Sequence, residues 1–191
     1  MHRPDGLRTA GRGARLGLAT FLLLLGSAAA DGPPRPVERV DLQRYMGRWY
    51  EIAAIPNFFQ RHCVRDTMAE YALRDDGLVD VTNRCVQSSG EIDQAQGVAR
   101  VVDPDSKARL EVSFVSVLGL RLFWGDYWII GLGKDYDYAL IGTPSRRWGW
   151  ILARDPHPPE ASVQSWLAEL LRQGYDPKSF VRTPQGGVRG P

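Results

Sequence analysis

Two cysteines, three histidines and no long run of one charge sign leave this chain little material for catalysis, metal binding or nucleic-acid contact. Beyond the first thirty residues the only histidines are His62 and His157, each in a loop-like stretch. No serine, cysteine or carboxylate cluster accompanies them at triad or metal-ligand spacing, so no metal, no cofactor and no enzymatic activity is expected. The longest apolar run, Leu16 to Leu25, falls short of the ~20 residues a spanning helix needs.

What the chain does have begins with a leader. Arg3, Arg8, Arg12 and Arg15 precede that apolar run, and Ala28-Ala29-Ala30 reads as a cleavage signal, so residues 1–30 are expected to be a secretory signal peptide that is removed. The leader holds four of the 24 basic residues and one of the 22 acidic ones, which leaves the exported part with 20 and 21 and a net charge of −1. The basic balance belongs to the leader, and nucleic-acid binding loses its electrostatic warrant. Cys63 and Cys85 both lie in the exported part, where an oxidising compartment favours pairing; a disulfide is expected. No cysteine follows the leader's apolar run, so the expectation is a periplasmic protein, associated at most peripherally with the outer membrane and not lipid-anchored.

Residues 31–37, with Pro33, Pro34 and Pro36, read as a flexible lead-in, and Val40 to Met46 as a short helical turn capped by Asp41. From Gly47 the texture becomes eight short extended runs, about 47–55, 66–74, 78–86, 96–103, 108–115, 126–133, 137–143 and 148–154, the spacing of an all-β sandwich or barrel. Tight turns at 75–77, 103–107 and 134–136 alternate with longer connections at 56–65, 87–95 and 116–125. In an up-and-down meander this alternation closes one end and fringes the other with loops. After the eighth run, Val163, Trp166, Leu167, Leu170 and Leu171 recur at helical spacing behind Pro158-Pro159-Glu160, an amphipathic helix that packs outside the sheet. Phe180 to Arg182 reads as a short edge strand, and 184–191 as a disordered tail.

Three features in order resemble the lipocalin family, and most of all the bacterial lipocalins related to apolipoprotein D. They are Gly47-Arg48-Trp49-Tyr50, the turn Asp135-Tyr136-Asp137-Tyr138, and the arginine closing Trp150-Ile151-Leu152-Ala153-Arg154. The similarity covers residues 38 to 183 and implies an eight-stranded antiparallel up-and-down β-barrel with a C-terminal helix outside. Barrel closure brings the first and last strands together, so Gly47, Trp49 and Arg154 are expected at the barrel floor, with the guanidinium over the indole.

Strand periodicity then proposes the interior. Leu110, Val112 and Phe114 alternate with Arg109, Glu111 and Ser113 and face inward; Arg154 sets Trp148, Trp150 and Leu152 inward; Trp49 carries Ala53 inside. Tyr71, Val81, Asn83 and Ala99 extend the same set over the second to fourth strands. The sixth and seventh strands are ambiguous by period, and the resemblance selects Tyr127, Ile129, Ala139 and Ile141. Depth along the strands puts Ala53, Asn83, Phe114, Tyr127, Ile141 and Trp148 near the mouth, an apolar cup for a lipid with its polar head toward solvent. A filled core is the alternative. At the mouth, Phe58 and Phe59 on one loop and Leu120, Phe123 and Trp124 on another are unusually apolar for connections, as either a peripheral membrane contact or a lid. The expected partner is a small hydrophobic ligand, a fatty acid or lysophospholipid, bound by a monomer or weak dimer.

Overall fold

The computed structural model describes residues 32–186; the leader and residues 187–191 lie outside the described residues. A short helix, α1 (Leu42–Tyr45), is followed by β1 (Gly47–Ala54), β2 (Cys63–Leu73), β3 (Val79–Gln87), β4 (Ile92–Val101) and β5 (Arg109–Ser113). A small hairpin, β6 (Val115–Val117) and β7 (Leu120–Leu122), then precedes β8 (Gly125–Leu132), β9 (Tyr138–Gly142) and β10 (Gly149–Ala153). The chain ends with α2 (Glu160–Arg172) and β11 (Val181–Arg182). Strands β1–β5 and β8–β10 pair antiparallel in sequence order, and β1 pairs with β10 to close an eight-stranded barrel. The barrel and the outer helix are those expected from the sequence.

Closure follows from side-chain chemistry on both faces of the wall. Leu110, Leu152 and Trp49 pack inside, whereas Ile52, Leu140 and Ile151 face out and are covered by Val163, Trp166 and Leu170 of α2. Burying those three helix side chains contributes on the order of 6 kcal/mol as an upper estimate. Leu171, expected on the same face, is exposed, because a convex barrel wall touches only a narrow stripe of the helix. On the bare outer wall Arg100 and Glu111 form an ion pair at 2.7 Å.

Several boundaries differ from the sequence expectation, each for a local reason. The connection expected at 87–95 is a tight hairpin, with Gln87 donating to the Glu91 carbonyl at 2.9 Å and β4 starting at Ile92. This end of β4 is exposed on both faces, so its residues show no apolar alternation. The connection at 116–125 contains the β6–β7 hairpin, whose turn residues Leu118 and Gly119 both take positive φ (49° and 81°), as primed hairpin turns require. Residues 32–37, expected as a flexible lead-in, are tied down: Val37 donates to the Ile129 carbonyl at 2.9 Å, and Arg35 exchanges two hydrogen bonds with Gln173. The expected edge strand, β11, is instead inserted beside the mouth half of β1, where β2 has parted from it, and Pro184 to Gly186 continue along Asp66 and Thr67. Only 187–191 of the tail lie beyond description.

Candidate functional site

The barrel floor is built around Trp49, fully buried, whose indole N–H donates to the Tyr45 carbonyl at 2.8 Å. The Arg154 guanidinium lies 3.8 Å from the centroid of its ring and donates to the carbonyls of Arg48 (2.6 Å), Met46 (2.8 Å), Arg44 (3.0 Å) and Tyr45 (3.2 Å). It thereby satisfies the carbonyls that α1 leaves open at its C-terminal end. Gly47 sits at φ +89°, a conformation glycine alone adopts at no steric cost, and brings the chain against the same guanidinium. The Asp135–Tyr138 turn joins this lock: the Tyr136 hydroxyl accepts from the Asp41 N–H at 2.8 Å, and its ring carries the Arg44 guanidinium at 4.1 Å.

Above the floor lies a cavity of about 650 Å³. Tyr71, Val81, Asn83, Ala99, Val112 and Phe114 line it, as do Tyr127, Trp148 and Trp150. Phe114 can lie against the β4 wall because Gly97 has no side chain; a Cβ there would come within 2.7 Å of the ring. Phe59 packs edge-on against Trp148, with ring centroids 5.5 Å apart, and Phe58 and Phe59 form one side of the rim. Phe123 and Trp124 form the other, and Arg100 stacks on Trp124 at 4.1 Å from outside the barrel. The disulfide between Cys63 and Cys85 ties the mouth end of β2 to β3, closing a loop worth about 3 kcal/mol in chain entropy.

Four expected positions fall elsewhere. Ala53 is buried on the opposite face, under α2, because β1 bulges between Glu51 and Ala53 against β10 and the alternation slips by one residue. Ile129 and Ile141 do point into the barrel but are fully buried in its packed part, away from the cavity; the larger Trp150, directly opposite Ile141, takes the cavity surface. Leu120 stands exposed on β7, within the connection at the mouth. Tyr127, expected near the mouth, stands opposite Leu110 near the closed end, and its hydroxyl lies 2.7 Å from the Tyr45 hydroxyl and 3.0 Å from that of Tyr71. Burial drives the Tyr45 and Tyr127 phenols well above their ordinary pKa and Tyr71 up to about 12, so all three stay neutral donors.

Sequence reasoning also missed the contribution of α1, whose Leu42 and Tyr45 form part of the cavity lining together with Met46. The available signal was the capped turn just before Gly47, which has nowhere to go but the barrel end. Glu51 lies buried on the wall, accepting from Gln60 at 2.9 Å and Thr183 at 2.6 Å. Burial raises its carboxyl pKa and these two hydrogen bonds partly offset that rise. Gln60 in turn accepts from the Trp150 indole N–H at 3.1 Å, so one polar chain links cavity wall, mouth loop and C-terminal strap. His62 pairs with Asp93 at 3.0 Å on the rim; the neighbouring Cys63 and Cys85 sulfurs are bonded to each other and are not free thiolates.

Residues 40–185 match the family model of the lipocalin-like domain. Temperature-induced lipocalin-1 of Arabidopsis thaliana is 39% identical over 152 residues, covering 78% of this chain and 81% of that protein. The outer membrane lipoprotein Blc of Escherichia coli (strain K12) is 36% identical over 173 residues, covering 88% and 94%. Among solved structures, insecticyanin from the tobacco hornworm Manduca sexta superposes with a TM-score of 0.64 at 20% identity, over 84% of this chain and 87% of that one, a likeness of fold. A closed eight-stranded cup, floored by Trp49 and Arg154 and matched along nearly its whole described length, places this chain in the lipocalin family.

Proposed function

We propose that this protein binds and carries or stores a small hydrophobic ligand, a fatty acid or lysophospholipid, in the cell envelope, without acting on it chemically. The observation that carries the reading is the cavity: about 650 Å³, within the usual range for ligand sites, walled by aliphatic and aromatic side chains with few polar atoms. Trp148 and Trp150 on its wall make occupancy readable by fluorescence. Export follows from the leader, and an envelope location agrees with a relative named as an outer membrane lipoprotein. The decisive experiment is native mass spectrometry and lipid extraction of the purified protein, with titration of tryptophan fluorescence by fatty acids and lysophospholipids. Absence of co-purifying lipid together with absence of quenching refutes the reading.

The rim supports a second element of the same function. Leu118, at the turn of the β6–β7 hairpin, is 99% exposed and Phe123, just after it, 82%, with Phe58 exposed across the mouth. Side chains folded down as a lid would be covered, whereas these present apolar surface to the outside. The hairpin therefore touches membrane lipid during ligand exchange. Leu120, Phe123 and Trp124 changed together to serine should abolish association with phospholipid vesicles; unchanged association refutes membrane contact. Ligand exchange of this kind suits a monomer or weak dimer.

A further inference from the structure

The base of the cavity is not apolar. Tyr45 from α1, Tyr71 from β2 and Tyr127 from β8 bring three phenol hydroxyls together there, with Tyr127 in the middle at 2.7 Å and 3.0 Å from the other two. Three hydroxyls carry three hydrogens, and the two contacts between them use two. No other hydrogen bond to these oxygens occurs among the described residues. One O–H is therefore surplus whichever way the bonds are directed, and because all three residues line the cavity, its acceptor is drawn from what the cavity holds, water or a ligand atom that displaces it. A buried donor without an acceptor costs about 1–3 kcal/mol, which a suitable ligand atom recovers.

The chemistry of that atom can be narrowed. A carboxylate has about four lone-pair sites, and one spare donor in an apolar cavity leaves most of its hydration unreplaced. Arg154, the cation whose charge reaches Tyr45 and Tyr71, is already spent on the Trp49 ring and on backbone carbonyls. A ketone or alcohol oxygen, by contrast, asks for one donor. Building on the ligand-carrier reading above, we propose that the closed end of the cavity is a receptor for an uncharged oxygen, and that the preferred ligand is an amphiphile bearing a keto or hydroxyl group on the end that enters first. Its charged or zwitterionic head stays at the mouth. The cup thus selects oxygenated tails over plain hydrocarbon ones.

The test compares palmitic acid with the same acid carrying a ketone on the penultimate tail carbon, each titrated into the full-length exported protein by quenching of tryptophan fluorescence. In a cavity without a donor, burying the ketone would weaken binding by about tenfold, as expected for an unpaired polar group. Here the ketone should bind at least as tightly as the parent acid, and should perturb the tyrosine band in near-ultraviolet difference absorption where the parent does not. In the Tyr45→Phe/Tyr71→Phe/Tyr127→Phe variant the ratio of ketone to parent affinity should fall by about tenfold. If that variant does not fold, the affinity ratio and the tyrosine band of the unmodified protein still decide. Normal binding of palmitic acid with about tenfold weaker binding of the ketone, or a tyrosine-band change produced by palmitic acid alone, overturns the proposal. If neither acid binds, the carrier function itself fails.

Discussion

Replacing Arg154 with alanine should cost the protein a substantial share of its stability without touching the apolar lining of the cavity. The guanidinium makes three hydrogen bonds of 3.0 Å or less to the Arg48, Met46 and Arg44 carbonyls, a longer one to Tyr45, and the 3.8 Å contact with the Trp49 ring. Hydrogen bonds to a charged group are worth about 1.5–3 kcal/mol each. This floor is partly open to solvent, so freed carbonyls can recruit water, and about 1 kcal/mol apiece for the three short bonds is the defensible share. A cation–π contact of this exposure adds about 0.5–1 kcal/mol. The expected loss is therefore about 3–4 kcal/mol, or roughly 6–16 °C in melting temperature for a domain of this size. Urea denaturation followed by tryptophan fluorescence measures it directly. Arg154→Lys keeps the charge but offers a point donor in place of a planar fork, so it should recover about half of the loss. An alanine variant within 1 kcal/mol of the parent, or a lysine variant equal to it, would refute the assignment of the floor to this fork.

The wall and the mouth give three further expectations. Glu51 has a carboxyl pKa raised by burial, so its protonated form is favoured in the folded state; its contribution is fully present below the unfolded value near 4.5 and is lost as pH rises through the higher folded value. Relative to Glu51→Gln, the parent should gain stability as pH falls from neutral toward about 4.5, read from melting temperatures of both proteins across that range; a constant difference contradicts it. Gly97→Ala places a Cβ 2.7 Å from the Phe114 ring and 2.8 Å from the Ser113 carbonyl, and should cost about 1–3 kcal/mol in urea denaturation while weakening the ligand-induced quenching as Phe114 is pushed into the cavity. Cys63→Ser/Cys85→Ser should lower stability by about 3 kcal/mol, checked by the same denaturation assay under oxidising conditions.

The floor was legible from sequence because two independent signals meet there. A motif supplied Gly47, Trp49 and Arg154, and the topology of an even-stranded meander required the first and last strands to be neighbours; the structure joins them in one contact. The interior face was legible wherever a strand kept its alternation, as in Leu110, Val112 and Phe114. Ala53 was lost because a single bulged residue inverts every assignment beyond it, and nothing in Glu51-Ile52-Ala53 announces a bulge. The β6–β7 hairpin was lost because Leu118 occupies a positive-φ turn position that sequence rules reserve for glycine, asparagine or aspartate.

Height within the barrel is the harder quantity, and the tyrosines show why. Alternation reports which face a side chain takes, while depth depends on the stagger between tilted strands and on how far a long side chain leans. Tyr127 starts two residues into a strand that descends from the mouth, so counting along the chain puts it at the rim. Across the ladder, however, it stands opposite Leu110, one residue into a strand that rises from the floor, and the phenol covers the remaining distance to Tyr45. Periodicity alone thus places the Tyr127 phenol at the mouth of an apolar cup with a greasy base. The register of β5 against β8 moves a polar group to the base, and with it the question of which end of a ligand is recognised.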